Sequence, residues 1–277
     1  KDFANFANLF TGDTAVGPVL YPGIDHLTTN EVTADERRAL VSIEEWVDIH
    51  TRCNHDHGLD KEQSHTAYWY RNIGSELRLI ALDTVNRFGG WQGCLHREQF
   101  EWLSHLLDES KDKYVVLTSH HPLENLFNGY APEEERSPAL EEELRRLLEK
   151  HPNVILWFSG HVHDHKITQS RNSDGSHAFW EIRTGSHIDW PQQSRTIEIV
   201  KSNNGKIAIG TVVFDHAGPV VFSGTPDELA DPVALAGLSR LLAANDWQRQ
   251  QDGPFNIELL AGEPEDRNIW LWANDPL

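Results

Sequence analysis

Hydrophobic residues in this chain fall into short blocks whose spacing separates strands from helices. Tyr114-Val115-Val116-Leu117-Thr118 and Asn153-Val154-Ile155-Leu156-Trp157-Phe158 are apolar, β-branched-rich runs bounded by polar and Gly/Pro positions, the pattern of short buried strands. Between them Leu140, Leu144, Leu147 and Leu148 recur at helical spacing. With Ser137 as N-cap and Pro138 at the first helical position, they predict a helix that runs to Lys150. Strand, helix, strand at this length requires a right-handed crossover and two parallel strands. Residues 97–109 carry the same helical period, with Phe100, Leu103, Leu106 and Leu107 on one face, and lead into the first run as a further unit of this kind.

Upstream, residues 67–72 and 77–83 read as an extended pair around Gly74-Ser75, a hairpin that ends at Asp83-Thr84. Thr33 with Glu36 and Ser42 with Glu45 have capping-box spacing and predict helices across residues 34–49. Residues 1–30 lack a clear period, and 51–66 are polar and loop-like. Downstream, residues 179–184, 196–201 and 206–214 predict antiparallel strands, the last two joined at Asn203-Asn204-Gly205. Asp231-Pro232 starts a helix carrying Leu235, Leu238, Leu241 and Leu242, and a Pro/Gly-broken tail with Trp270 and Trp272 follows. The alternation of helical and strand patterns places the chain in the mixed α/β (α+β) class. It divides into an irregular arm at 1–24, a main domain at 25–224 and a C-terminal helical extension at 225–277.

Charge narrows the partners. The 277 residues carry 43 acidic and 24 basic side chains for a formal net charge of −19, and no basic stripe interrupts the acidity. A nucleic-acid backbone and an anionic membrane are poor partners for such a surface. No apolar run approaches the roughly 20 residues that cross a bilayer. Cys53 and Cys94 form no CxxC pair and read as two ordinary thiols. The chain begins at Lys1 and contains no methionine, which leads us to expect a segment of a longer product or a start that was removed.

Both predicted parallel strands end in histidine: Ser119-His120-His121-Pro122 after the first, Ser159-Gly160-His161-Val162-His163 after the second. Open sheets of this kind place ligands at the carboxyl ends of their strands, so His120, His161 and His163 are expected to converge. Neutral imidazole is the commonest protein ligand for zinc, iron and manganese-like ions. Gly160 allows a tight turn, and His161 and His163, two apart in an extended stretch, point the same way. Each is then able to hold one ion of a pair about 4 Å apart. The plainer alternative is a set of core histidines satisfied by backbone hydrogen bonds.

The segments VVLTSHHPL (115–123) and LWFSGHVHDH (156–165), with LIALDT (79–84) and REQFEWLSHLL (97–107), resemble the C-terminal half of the calcineurin-like metallophosphoesterases. GSHIDWPQQSR (185–195) resembles one bacterial branch of that family. The resemblance implies part of a four-layer α/β/β/α metallophosphoesterase sandwich with its N-terminal half missing. It also implies hydrolysis of small phosphate mono- or diesters by two metal ions drawn from Mn, Fe or Zn. His120 and His161 correspond to ligands of one ion and His163 to a ligand of the other. His121 stands where the family varies, as a packing residue or a group behind the ligands. His161-Val162-His163-Asp164-His165 is one residue short of the metallo-β-lactamase HxHxDH signature and lies too late in the chain for it.

The chain departs from the family pattern before residue 115. No DxH pair precedes His120, Thr11-Gly12-Asp13 lacks the second Asp of GDxxD, and Asn54-His55-Asp56 follows Cys53 where the family has Gly. Two divalent ions about 4 Å apart repel by roughly 15 to 20 kcal/mol at an effective dielectric near 20, and neutral imidazoles do not offset this. Carboxylates are needed, and Asp83, Asp164 and Asp189 are the candidates without motif support. Asp83 reads as a site-edge group or a structural turn. Asp164 and His165 orient ligand histidines or face solvent, and His187 lines the pocket rim or is structural. The expectation is therefore an incomplete phosphoesterase with little activity and an exposed apolar sheet edge or face. The alternative is a non-catalytic, degenerate metal-binding module.

Overall fold

The computed structural model describes residues 35–53, 59, 66–171, 175, 178–221, 223–246 and 257–277. Thr11-Gly12-Asp13 and Asn54-His55-Asp56 lie outside the described residues. The chain divides into two units, Lys1–Ser42 and Ile43–Leu277. In the first, the Asp35 carboxylate accepts from the Arg37 amide at 3.0 Å and caps a single 3-10 turn, Glu36–Arg38. The helical turn stops there because Ala39 has extended ψ, 146°. The second unit opens on helix α1 (Ile43–Thr51), immediately after Ser42.

Gly74, at φ +63°, closes the predicted hairpin between β1 (Trp69–Ile73) and β2 (Leu77–Ala81). Helix α2 (Arg97–Asp108) then returns the chain to β3 (Tyr114–Thr118), and α3 (Glu141–Leu148) returns it to β4 (Val154–Ser159). Both crossovers give parallel pairs, β2 with β3 and β3 with β4. The helix expected from Pro138 starts three residues later. Ala139 is engaged elsewhere, its N–H donating to Leu95 O at 2.7 Å and its carbonyl accepting from Leu95 N at 3.0 Å.

Two strands were not expected in their observed form. β5 (Lys166–Arg171) carries no clean alternation that marks it as a strand, and β6 (Ala178–Arg183) joins β4 in parallel on one side and β5 antiparallel on the other. The result is a six-stranded mixed sheet in the order β1-β2-β3-β4-β6-β5. A second sheet consists of β7 (Gln193–Ser202), β8 (Lys206–Asp215) and β9 (Ile269–Asn274), all antiparallel. Gly205, at φ +71°, makes the predicted β7–β8 turn. β9 is the segment that the sequence suggests is a broken tail. It finds its place because Gly210 on β8 leaves room for the Trp270 ring, whose atoms would stand 2.7 Å from any added Cβ.

Alternation along the central strands explains the layers. Val115 and Leu117 of β3 join Leu103, Leu107, Leu144 and Leu148 of the helices in one buried cluster. Tyr114 and Val116 point the other way and join Ile207, Ile209 and Leu271 of the second sheet. Pairing of β3 with β4 skips Ile155, so that Val116 faces Leu156. This bulge lets Ile155 and Leu156 both enter the second cluster while Trp157 enters the first. Helices, six-stranded sheet and three-stranded sheet are three layers of the expected four-layer sandwich.

On the outward face of the three-stranded sheet Trp270, Trp272, Val200, Val212 and Phe214 are exposed. The C-terminal helix is as read: α5 (Pro232–Ala244) follows a short α4 (Pro226–Ala230), with the Asp231 carboxylate capping Val233 N at 3.0 Å. A last short helix, α6 (Ile257–Leu260), precedes β9. Both cysteines are free thiols, Cys53 exposed and Cys94 buried. Among the described residues no helix is long and apolar enough to cross a membrane.

Trp157 is fully buried, so Trp157→Ala should lower stability by about 3 to 5 kcal/mol, read as a fall in the urea midpoint at unchanged slope. Glu181, buried in β6, accepts from Leu123 N at 2.8 Å, and burial raises its carboxyl above the ordinary 4.5. A raised carboxyl favours the fold while neutral and loses that contribution as pH climbs through its folded value. Glu181→Gln keeps the acceptor and removes the charge. Its thermal midpoint should match wild type near pH 4 and exceed it increasingly toward pH 8.

Candidate metal centre

The parallel order of β2, β3, β4 and β6 brings four strand ends to one edge. These ends carry Asp83-Thr84, Ser119-His120-His121, Gly160-His161-Val162-His163 and the loop reaching Asp189. Backbone bonds carry the ladder past the strands: Leu82 N to Thr118 O at 2.8 Å, Ser119 N to Phe158 O at 3.1 Å, Gly160 N to His120 O at 3.0 Å. Ser119 then folds the chain over. Its hydroxyl accepts from the Trp157 indole at 2.8 Å and donates to His121 O at 2.6 Å, which turns His120 and His121 out of the strand.

His120, His121 and His161 each present a ring nitrogen within 4.8 Å of the others. His120 Nε2 and His161 Nδ1 are 3.1 Å apart. Two nitrogens held about 2.0 to 2.1 Å from one ion, at tetrahedral to octahedral angles, stand about 2.8 to 3.4 Å apart, so this pair has the spacing of two ligands on one ion. All three imidazoles are poised neutral, as ligands must be. Burial, then the neighbouring His121, His120 and His163, push His161 down to about 4. Burial also lowers His120 and His121.

His121 sits among these groups with both ring nitrogens engaged. Its Nε2 donates to Trp91 O at 2.9 Å, and its Nδ1 accepts from the Thr84 hydroxyl at 2.8 Å, which in turn accepts the His121 amide at 3.2 Å. Buried at 3% exposure, His121 packs behind His120 and His161 and braces them. Gly93 makes this possible, because a Cβ there would stand 2.7 Å from the His121 ring. No motif marks Thr84 or Gly93 in the sequence; Thr84 is adjacent to Asp83, and only the fold brings it to His121.

His161 and His163 depart from the extended geometry expected of them. Both adopt left-handed backbone, φ +66° and +65°, conformations rare outside glycine, whereas Gly160 keeps a negative φ. Two left-handed residues in three bend the chain, and the rings part company. His161 meets His120, while His163 Nδ1 donates to Asp189 Oδ2, which leaves its Nε2 for another partner. A carboxylate on the far nitrogen fixes a histidine's tautomer and raises its basicity toward a metal.

The remaining candidates do not join the imidazole group among the described residues. Asp83 Oδ1 accepts from Val85 N at 3.1 Å in a local turn, its backbone is held on both sides by Gln99, and burial raises its carboxyl. Asp164 forms a two-point ion pair with Arg183 (2.9 and 2.6 Å), to which Glu124 also binds. It therefore neither orients a histidine nor stands free in solvent. His165 is buried, accepts from Arg195 at 3.1 Å and Gly185 N at 3.3 Å, and is pushed down to about 4 by burial and the Arg195 charge. It ties β7 to the sheet edge and orients no ligand. His187 lies 2.9 Å from Ser194 Oγ at the surface. Among the described residues no carboxylate joins the imidazole cluster.

The donor set fits one first-row transition ion held by imidazole, with a second imidazole, His163, braced by carboxylate nearby in the chain. That combination is a candidate metal site on a layered α/β/β framework. A family model for calcineurin-like phosphoesterases matches residues 7–165, and the chain belongs to that family. The match spans residues 11–13 and 54–56 as well as both histidine strands. The crystal structure of a dimetal phosphatase from Danio rerio is similar at 16% identity and a TM-score of 0.35, over 51% of this chain and 56% of that one. The chain thus spans about half the length of that phosphatase. No curated protein matches the chain.

Asp189→Asn should keep the fold, leave the zinc at His120 and His161 within about threefold of wild type, and weaken by about 10- to 100-fold only the weaker binding at His163, the range found when a carboxylate behind a ligand histidine is lost. Competition against a chromophoric chelator measures it.

Proposed function

We propose that this chain supplies the histidine side of a two-metal phosphoesterase that hydrolyses small phosphate mono- or diesters. The observation that carries the reading is the pair His120 Nε2 and His161 Nδ1, neutral and 3.1 Å apart, in a member of this family. His120 and His161 hold one ion and His163 holds the other, with Mn, Fe and Zn all compatible with imidazole. Ions held by these residues would supply charge for the phosphoryl oxygens and lower the pKa of a water for in-line attack. The protein's own part is to keep the imidazoles deprotonated and aimed. His121, Thr84 and the Trp91 carbonyl brace the first pair, and Asp189 orients His163.

Charge balance sets the limit of what the chain does alone. With no carboxylate at the imidazole cluster among the described residues, a pair of divalent ions lacks the anionic ligands that make it stable. The purified chain should therefore bind one zinc or manganese ion tightly and turn over an aryl phosphate little or not at all. His161→Ala should weaken that ion by more than about 100-fold in a calorimetric titration, since a direct ligand outweighs the groups behind it. Affinity unchanged by this substitution would contradict the ligand assignment.

A second reading has one observation in its favour. The family match begins at residue 7 and takes in Asp13 and Asn54-His55-Asp56, residues of the types that the family uses for its other ligands. In that case the chain binds two ions, and turnover is substantial and abolished by His161→Ala. Loss of the second ion in Asp13→Asn or His55→Ala would identify its holders.

A further inference from the structure

Beside the imidazole pair stands an aromatic surface that the phosphoesterase reading leaves unused. The Trp91 ring lies against His161, with centroids 5.9 Å apart and planes 21° from parallel. Its other neighbour is Phe127, edge-on at 6.5 Å and 87°. Both rings remain open to solvent, Trp91 at 59% and Phe127 at 52% exposure. Single exposed aromatics are ordinary, but two in mutual contact, one of them stacked on a residue assigned to the metal, form a patch that calls for an occupant.

The patch is held on rigid backbone. Residues 85–95 and 125–130 are laced together: Gly93 N donates to Asn125 O and Asn128 N to Gly93 O, both at 3.0 Å. The Asn128 side-chain amide donates to Gly89 O at 2.8 Å, and that of Asn86 to Tyr130 O at 2.9 Å. The Trp91 carbonyl is fixed by His121 Nε2 at 2.9 Å. A preformed pair of rings loses little conformational freedom on binding, which favours a flat ligand.

We infer that Trp91 and Phe127 form an aromatic subsite that receives a planar ring carried on the ester side of the substrate, so that the substrate class is aryl-type phosphoesters. This rests on the phosphoesterase reading: a phosphoryl group held at His120 and His161 places its substituent beside the ring stacked on His161. The face of an indole attracts another ring by dispersion and offset stacking, an interaction that a small alkyl group does not reproduce.

The test uses non-hydrolysable ligands, so that turnover is not required. Benzylphosphonate and ethylphosphonate are titrated calorimetrically into the full chain, with and without zinc. The expected result is zinc-dependent binding of both, with benzylphosphonate favoured by about tenfold. Trp91→Ala should bring that preference, taken as the ratio of the two affinities within the same variant, close to one. Trp91→Phe should restore most of the preference, and Phe127→Ala should lower it less. Equal binding of the two phosphonates by wild type, or a preference unchanged in Trp91→Ala, overturns the subsite and leaves the metal site standing. Failure of either phosphonate to bind in a zinc-dependent way overturns the phosphoesterase reading, and the subsite with it.

Discussion

The backbone ladder between β3 and β4 is the constraint on which the rest depends. Parallel pairing sends both strands out at the same edge, and the last bond of the ladder, Gly160 N to His120 O, joins the two histidine turns directly. Once these turns are locked to one another, the imidazoles have little choice of neighbour. The strands themselves are fixed by burial on two sides: leucines of α2 and α3 on one face, isoleucines of the second sheet on the other. Removing apolar area from water at about 25 cal/mol per Å² holds the sheet in register, and the register holds the site.

Keeping several histidines close without charging them is a matter of solvation and of mutual repulsion. A protonated imidazole next to two others loses hydration and meets like charge, so each neighbour disfavours the proton on the next. Dedicated hydrogen bonds then decide which nitrogen faces the site. His121 spends both of its nitrogens on Thr84 and Trp91, so its value is stiffness, whereas His163 gives one nitrogen to Asp189 and keeps the other. These two histidines thus play different parts because their ring nitrogens have different partners.

Much of this was legible in the chain. Val115, Leu117, Val154 and Trp157 alternate or cluster as buried strands must, and β3 runs over the predicted Tyr114–Thr118. The crossover helices followed from leucine spacing, and the convergence of His120 with His161 followed from parallel pairing. What was not legible depends on long-range partners. Ala139 delays α3 because it pairs with Leu95; β6 is parallel because its neighbour is β4; β9 exists because Gly210 makes space for Trp270. At the site, left-handed backbone at His161 and His163 was hidden because neither residue announces it, and glycine was the expected place for the turn. Asp164 read as a neighbour of the ligands, yet Arg183 lies only one β-strand away and claims it.

The central claim is that His120 and His161 share one ion. Zinc K-edge X-ray absorption on the chain loaded with one equivalent of zinc tests it directly, because imidazole rings give a distinct outer-shell signature that counts them. The account predicts two or more imidazoles on the ion in the wild-type chain and one fewer in both His120→Ala and His161→Ala. A spectrum without imidazole scattering, or one unchanged by either substitution, would contradict it.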